Sequence, residues 1–301
     1  MAQVIYNGEF LDADRPVISL NNRAFHYGDG VFESFRVVKG KGCFLNVHFG
    51  RAITGCEAMS IDPPEGLDAE KFSSLVEELI KVNIDGTFDL LEEARKAKVK
   101  QVIFMSSCTV FGEVLPTVNK ENPMDESHPV RPGSLYGSIK NSIEGFCFQF
   151  QKSRAFDITI IRPVTIYGVR PQIDKSEWFQ TIDYLATNYN VDLKGSTKYV
   201  SVDSVVQGIQ CVLGNPDAGG KIYHLIDGHI HNLLLGKMIA ETIDSFGECE
   251  GVMGDEGVPM SNQAAKDIGV EFPGEEAIKE YIKLIHKLQG EYGGERNIQN
   301  W

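Results

Sequence analysis

The stretch 101-QVIFMSS-107 is a short apolar run that ends in two serines. A continuous apolar run without polar alternation is typical of a strand that is buried on both faces of a sheet. A second run of this kind, 158-ITIIRPV-164, follows later in the chain. We therefore predict that 101–107 and 158–164 are neighbouring parallel strands, with Ser107 at the carboxyl end of the sheet, where open α/β sheets build their sites.

Helical patterns surround both runs. Apolar residues recur at helical spacing from Phe72, and the pattern continues through 84–97 with Gly86 as its weakest point. A helix around 136–151 is expected to connect the two strands in the right-handed sense. Further predicted elements are a strand at 221–226 and helices near 202–213, 233–245 and 275–289. Alternating helices and buried strands indicate a parallel α/β sheet.

The first 60 or so residues have a different pattern, in which short β-rich runs alternate with turn residues. Asn7-Gly8 stands between the β-rich flanks of 3–11, which predicts a tight hairpin. Residues 31–47 are predicted to form a second hairpin that turns at Lys39–Gly42, followed by a helix over Val47–Met59. These patterns predict an antiparallel α+β segment at the N-terminus.

Composition and charge exclude several classes of function. The 301 residues carry a formal net charge of −13 and no basic stripe, which argues against a nucleic-acid-binding protein. No apolar run approaches the roughly 18 residues of a membrane span, and the first residues do not match a signal peptide. The six cysteines show no C-x-x-C spacing, so neither a structural metal site nor a disulfide framework is expected. We expect a cytoplasmic protein that binds no metal, membrane or nucleic acid.

The run 23-RAFHYGDGVFESFRV-37, followed by 48-HFGR-51, resembles the N-terminal lobe of class IV pyridoxal-phosphate enzymes. This family includes branched-chain and D-amino-acid aminotransferases and aminodeoxychorismate lyase. The resemblance implies that Arg51 contacts the cofactor phosphate, for which a guanidinium is well suited, and that Tyr27 lines the active site. Such an enzyme also needs a lysine for its Schiff base, and Lys140 lies at a roughly suitable distance along the chain.

The stretch 82-VNIDGTFDLLEEARKAKVKQVIFMSSCTVFG-112 resembles a different family, the extended short-chain dehydrogenases/reductases, which include NAD-dependent epimerases and dehydratases. The likeness continues, in a consistent order, through 129-PVRPGSLYGSIK-140, 158-ITIIRPVTIYGVR-170 and 199-YVSVDSVVQGI-209. It implies a Rossmann-like fold, NAD or NADP as the cofactor, and a sugar-nucleotide-like substrate.

The chemistry of this second resemblance centres on three residues. Tyr136 and Lys140 are four apart on a predicted helix and so share one face. A nearby ammonium favours tyrosinate, which would make Tyr136 a base near neutral pH. The resemblance implies that Lys140 also holds the nicotinamide ribose and that the Ser107 hydroxyl binds the reacting oxygen. Further cofactor contacts that it implies are Asn83, Arg162 and Pro163.

The glycine-rich turn that would hold the cofactor pyrophosphate is missing from the sequence, because no suitable glycine cluster follows a strand. We therefore expect a chimera-like chain of two domains, 1–80 and 81–301, with weak or absent cofactor binding. The expected fold is α/β, an incomplete Rossmann-like parallel sheet whose strand 101–107 has an open edge along which the N-terminal hairpins could pair. An epimerase/dehydratase by ancestry is the leading interpretation. A pyridoxal-phosphate enzyme, an inactive scaffold and a homodimer stay open as alternatives.

Overall fold

The structure is a computed structural model, and it describes residues 3–6, 9–12, 37–38, 41–58, 62, 66–112, 114–253 and 257–293. Its α-helices are α1 Leu45–Ala58, α2 Ala69–Ile80, α3 Gly86–Lys96, α4 Leu135–Lys152, α5 Phe179–Ala186, α6 Val202–Val212, α7 Asn232–Thr242, α8 Gln263–Asp267 and α9 Glu275–Gly293. Its strands are β1 Gln3–Tyr6, β2 Glu9–Asp12, β3 Val37–Val38, β4 Lys41–Gly42, β5 Gln101–Met105, β6 Asp157–Pro163, β7 Thr165–Tyr167, β8 Val191–Asp192, β9 Ser196–Ser201, β10 Ile222–Leu225, β11 Gly228–His231 and β12 Cys249–Glu250.

The two apolar runs form neighbouring parallel strands, as predicted. Strand β5 pairs with β6 in parallel, with Met105 opposite Ile161, and β10 pairs with the other side of β6. The ladder continues to Ser106, whose N–H donates to the Ile161 carbonyl at 2.7 Å. Helix α4 lies between β5 and β6 in the chain, so the predicted strand–helix–strand unit is confirmed.

Apolar side chains cover both faces of β6, because successive residues of a strand point to opposite faces. Ile158 and Ile160 pack with residues of α3 and α4, whereas Ile161 packs with residues of α6 and β10. Strand β5 was predicted to be buried on both faces but to have one open edge, and all five of its residues are half-buried. The reason is its place at the edge of this sheet, among the strands that the structure describes.

The predicted helix from Phe72 onward begins earlier, at Ala69, where the Asp68 carboxylate caps α2 by accepting from the Lys71 N–H at 2.7 Å. Its weak point is also observed, since residues Lys81–Asp85 form a π-helical turn immediately before Gly86. The chain nevertheless remains helical from α2 through this turn to the end of α3.

Antiparallel strand pairs flank both predicted turns, although β4 at Lys41–Gly42 occupies the second half of the turn predicted at Lys39–Gly42. Strands β1 and β2 pair antiparallel with Tyr6 opposite Glu9, and β3 pairs with β4. The prediction of β-structure up to residue 47 was wrong, because α1 begins at Leu45, whose side chain is buried against Val76 of α2. Among the described strands, neither hairpin pairs along the edge of β5; each forms its own small sheet.

A second sheet of order β11–β9–β7 was not predicted, since its strands are short and mix polar with apolar residues. The helices predicted near 202–213, 233–245 and 275–289 correspond to α6, α7 and α9. In the described ranges, no helix is both long and apolar enough to cross a membrane.

Candidate active site

Lys140 is attached to the carboxyl end of the central sheet. Its Nζ donates to the backbone carbonyl of Met105, the last residue of β5, at 2.8 Å. The ammonium also lies 5.0 Å from the centre of the Phe104 ring and 5.7 Å from that of Tyr136. Burial lowers the pKa of Lys140, although the nearby Glu144 carboxylate opposes this effect. The lysine therefore lies at the predicted edge of the sheet. Its hydrogen-bond partner, Met105, directly precedes Ser106 and Ser107.

Tyr136 lies one helical turn before Lys140, and 53% of it is exposed. Burial of its remaining surface raises the pKa of the Tyr136 hydroxyl. This contradicts the expectation that the lysine would make tyrosinate accessible near neutral pH. The ammonium lies over the tyrosine ring and hydrogen-bonds a backbone carbonyl, so desolvation of the phenol dominates in the protein alone.

Ser107 begins the short 3-10 helix Cys108–Val110 that follows β5. Its Oγ accepts from the Thr109 N–H at 3.2 Å and from the Thr109 hydroxyl at 3.0 Å. The start of α4 packs directly on this turn, because a Cβ added to Gly137 would lie 2.1 Å from the Thr109 carbonyl oxygen. Glycine at 137 thus allows the helix that carries Tyr136 to approach the segment that carries Ser107.

Ser107 also lines a cleft of about 520 Å³ that extends towards the second sheet. Lys198 of β9 lies in the same lining, and burial lowers the pKa of its ammonium. Met124 closes one side, held by backbone hydrogen bonds to Pro259 and Ser261 at 2.9 and 2.8 Å. Sequence reasoning missed Lys198 because it precedes the motif at 199–209; the polar residues of β9 just before that motif were the available signal.

Arg162 and Pro163, which the family resemblance placed at the cofactor, lie in the protein interior. Arg162 is 1% exposed and forms an ion pair with the Glu144 carboxylate of α4, whose Oε1 also accepts from the Ser106 hydroxyl. Pro163 lies opposite Leu225 in the β6–β10 ladder. Arg162 thus links β6 to α4 in this structure.

The other predicted cofactor residues lie in separate parts of the chain. Asn83 belongs to the π-helical turn, where its carbonyl accepts from the Thr87 hydroxyl at 2.7 Å. Arg51 is exposed on α1, and Tyr27 lies outside the described residues. Ser107, Tyr136 and Lys140 therefore lie at the carboxyl end of the sheet, where Arg162 and Pro163 are also found but buried.

These residues fit one end of a nicotinamide cofactor and not the whole molecule. A tyrosine, a lysine and a serine hydroxyl suit the reacting end, whereas the sequence has no glycine-rich turn for the pyrophosphate. Within the described residues, the Lys140 amine donates to Met105 and the nearby Glu144 carboxylate is held by Arg162, so neither group is free for pyridoxal phosphate in this arrangement.

Comparison with known proteins agrees with the fold. The model of the NAD dependent epimerase/dehydratase family matches residues 70–225. An N-acetyl-alpha-D-glucosaminyl-diphospho-ditrans,octacis-undecaprenol 4-epimerase from Escherichia coli O157:H7 is 31% identical over 170 residues, 55% of this chain and 48% of that protein. A UDP-N-acetylglucosamine 4-epimerase structure from Methanobrevibacter ruminantium M1 superposes with a TM-score of 0.60 at 19% identity and covers 71% of each chain.

A short likeness to a different enzyme is also found. D-alanine aminotransferase from Staphylococcus haemolyticus is 35% identical over 83 residues, which is 28% of this chain and 29% of that enzyme. The chain spans about half the length of the epimerase from Escherichia coli O157:H7. Since the family model covers more than half of its residues, the chain belongs to the NAD dependent epimerase/dehydratase family.

Proposed function

We propose that this chain binds a nucleotide sugar in the cleft beside Ser107, that Ser107 and Tyr136 contact its sugar, and that Lys140 positions Tyr136. The observation that carries the proposal is the 2.8 Å hydrogen bond from Lys140 to the Met105 carbonyl. It holds the tyrosine–lysine face of α4 against the strand that leads into Ser107. Related enzymes support the substrate class, since one solved epimerase is in complex with UDP-N-acetylmuramic acid and another with UDP-glucose.

Each residue has a distinct role in this proposal. The Ser107 and Tyr136 hydroxyls donate to or accept from a sugar oxygen, and at neutral pH the Tyr136 phenol carries its proton, because burial raises its pKa. The Lys140 ammonium lies over the face of the Tyr136 ring and orients the phenol. Lys198 is the cationic side chain of the cleft lining and suits the diphosphate of the ligand. NAD or NADP binding is weak or absent, so turnover is low or lost.

The domain division is part of the same proposal. Residues 1–80 form an aminotransferase-like lobe and 81–301 form the epimerase-like unit, with the seam near 77–86. The likeness to D-alanine aminotransferase supports the origin of the first lobe. A pyridoxal-phosphate enzyme that uses Arg51, Tyr27 and Lys140, and a scaffold without activity, are the two alternatives. We place the protein in the cytoplasm.

A homodimer is also part of this proposal. Leu90 of α3 is 68% exposed, and burying a large apolar side chain against a second copy would be favourable. Sedimentation of Leu90→Lys beside the unchanged protein tests whether this face of α3 takes part.

The substrate proposal is tested by calorimetric titration with UDP-glucose, UDP-N-acetylglucosamine and free glucose. The two nucleotide sugars should bind and glucose should not. Lys198→Met should weaken binding about tenfold, which corresponds to the loss of one charge-assisted contact of ~1.4 kcal/mol. The matched control is Lys194→Met, which removes an exposed lysine paired with Asp192 at 2.9 Å. No binding of either nucleotide sugar, or equal effects of the two lysine variants, would overturn the proposal.

A further inference from the structure

A second concave surface lies apart from the cleft of Ser107 and shares none of its lining residues. It is a groove of about 940 Å³ between the end of β7, the first turn of α6 and helix α9. Its volume lies in the range of sites that hold small organic molecules. None of the roles proposed above uses this groove.

The walls of the groove are held in place by hydrogen bonds and close packing. The Ser204 hydroxyl of α6 donates to the Glu271 carbonyl at 2.8 Å, and the Gln207 side chain accepts from the Glu271 N–H at 2.7 Å. Gly168 lies so close to Val202 that an added Cβ would be 2.6 Å from a valine methyl carbon. The segment that carries Glu271 is therefore fixed to the helix that carries Asp203.

Aromatic rings form the floor. Tyr167 and Tyr281 line the groove, with ring centres 5.2 Å apart at an interplanar angle of 63°, and Trp178 stacks on Tyr167 from behind at 5.2 Å. The Tyr281 hydroxyl donates to the Glu177 carbonyl at 2.7 Å. Both tyrosine rings are almost fully buried, so they form a rigid wall beneath the groove.

The Tyr167 hydroxyl differs from the Tyr281 hydroxyl in its hydrogen bonding. The residue is 3% exposed, and its oxygen has no hydrogen-bond partner in the part of the chain that the structure describes. Burial raises the pKa of Tyr167, and the carboxylates of Asp227 and Asp203 raise it further. Tyr167 and Asp203 both line the groove. An unpaired buried hydroxyl is costly, which makes it a natural partner for a ligand.

The rim is acidic. Asp203, Glu271 and Glu280 are exposed there, and no lysine, arginine or histidine is among the lining residues. Glu280 pairs with Lys283 at 2.7 Å, whereas no ion pair to Asp203 or Glu271 forms within the described ranges. Two uncompensated carboxylates thus face a groove with an aromatic floor.

We propose that this groove binds an organic cation that joins a primary ammonium group to an apolar body. The ammonium donates to the Tyr167 hydroxyl oxygen and is balanced by Asp203 and Glu271, while the apolar body covers the partly exposed Val202 and Leu284. An anion is disfavoured by the rim, and a neutral ligand leaves the two carboxylates without a counter-charge.

The test uses three probes of nearly equal shape: 2-phenylethylammonium, 2-phenylethanol and phenylacetate. Ligand-observed NMR or calorimetry on the full chain should rank them cation first, alcohol second and carboxylate last. Added salt should weaken only the cation. Asp203→Asn with Glu271→Gln should weaken the cation by about fivefold and leave the alcohol unchanged. Glu121→Gln, an exposed carboxylate outside the groove, is the matched control.

Tyr167→Phe separates binding from folding. It removes only a hydroxyl that has no protein partner, so the melting temperature should hold or rise while the affinity for the ammonium falls. Equal affinity for 2-phenylethylammonium and 2-phenylethanol, or an Asp203/Glu271 double variant that binds the cation as well as the unchanged protein does, would overturn the proposal.

Discussion

The Arg162 guanidinium and the Glu144 carboxylate form a two-point ion pair inside the protein, with Nε 2.9 Å from Oε1 and Nη2 2.6 Å from Oε2. The Arg162 Nη1 has no partner in the described part of the chain. The pair joins β6 to α4, and α4 is the helix that carries Tyr136 and Lys140. Loss of this ion pair should therefore affect both the position of Tyr136 and Lys140 and the stability of the protein.

Glu144→Gln should destabilise the fold by about 3–5 kcal/mol, because it leaves the Arg162 charge buried without a counter-charge. Replacing both partners with apolar residues, Arg162→Met with Glu144→Leu, should cost much less. Urea unfolding measures both. Glu93→Gln, which breaks an exposed pair with Lys96, serves as the control and should cause no measurable change. Equal losses in the single and double variants would contradict this account.

Gly137→Ala should destabilise the protein by about 1–3 kcal/mol and separate α4 from the Ser107 turn, because its Cβ would lie 2.1 Å from the Thr109 carbonyl oxygen. Gly145 lies on the same helix, and nothing lies within 4 Å of an added Cβ there. Gly145→Ala should therefore stabilise the helix by about 0.5–1 kcal/mol. Thermal unfolding of the two variants side by side decides the matter, and effects of the same sign would refute the proposed packing.

His224 should make the protein acid-sensitive. It is 0% exposed, and burial lowers its pKa to about 3, with the Arg162 charge acting in the same direction. The unfolded chain binds this proton near pH 6.5. Stability should therefore fall as the pH drops from about 6.5 towards 3, by up to about 1.4 kcal/mol per pH unit.

His224→Leu should remove that slope. Glu126, which accepts from the backbone N–H of residue 224, has a pKa raised by burial, so its contribution has the opposite sign and remains in both proteins. Unfolding in urea at a series of pH values gives the comparison. A variant whose stability falls with pH as steeply as that of the unchanged protein would rule out His224 as the cause.

NAD and NADH should show no tight binding in calorimetry. The sequence lacks a phosphate-binding glycine turn, and Arg162 and Pro163 are buried in the sheet. A dissociation constant in the low micromolar range, about −8 kcal/mol, would show that another part of the chain supplies the missing contacts.

Pyridoxal phosphate should form no stable aldimine at Lys140, whose amine donates to the Met105 carbonyl. Borohydride reduction followed by peptide mapping is the measurement, with Lys140→Ala as the control. Specific labelling of Lys140 that disappears in the variant would favour the aminotransferase alternative.

Sequence reasoning succeeded where a pattern is local. The apolar runs of β5 and β6 and the i, i+4 spacing of Tyr136 and Lys140 are visible in a short window, and both were located correctly. The partner of Arg162 was not, because Glu144 lies 18 residues away and only the folded packing of α4 on β6 brings the charges together. The direction of the Tyr136 pKa shift likewise depends on burial, which no spacing reveals. Lys198 was missed because it stands just before the motif at 199–209, and only the folded arrangement of the second sheet brings it into the cleft.

The π-helical turn at Lys81–Asp85 sets how far α3 is rotated about the helix axis relative to α2. A turn with i→i+5 bonding accommodates one residue more than an α-helical turn, and each residue rotates the helix face by about 100°. The face of α2 that packs on Leu45 and the face of α3 that carries Leu91 into the core therefore depend on this extra residue for their relative orientation. Deleting one residue here would leave a longer, regular helix whose two ends could no longer both pack. A change of one residue in chain length at this junction therefore becomes a rotation of α3 relative to α2 about the helix axis.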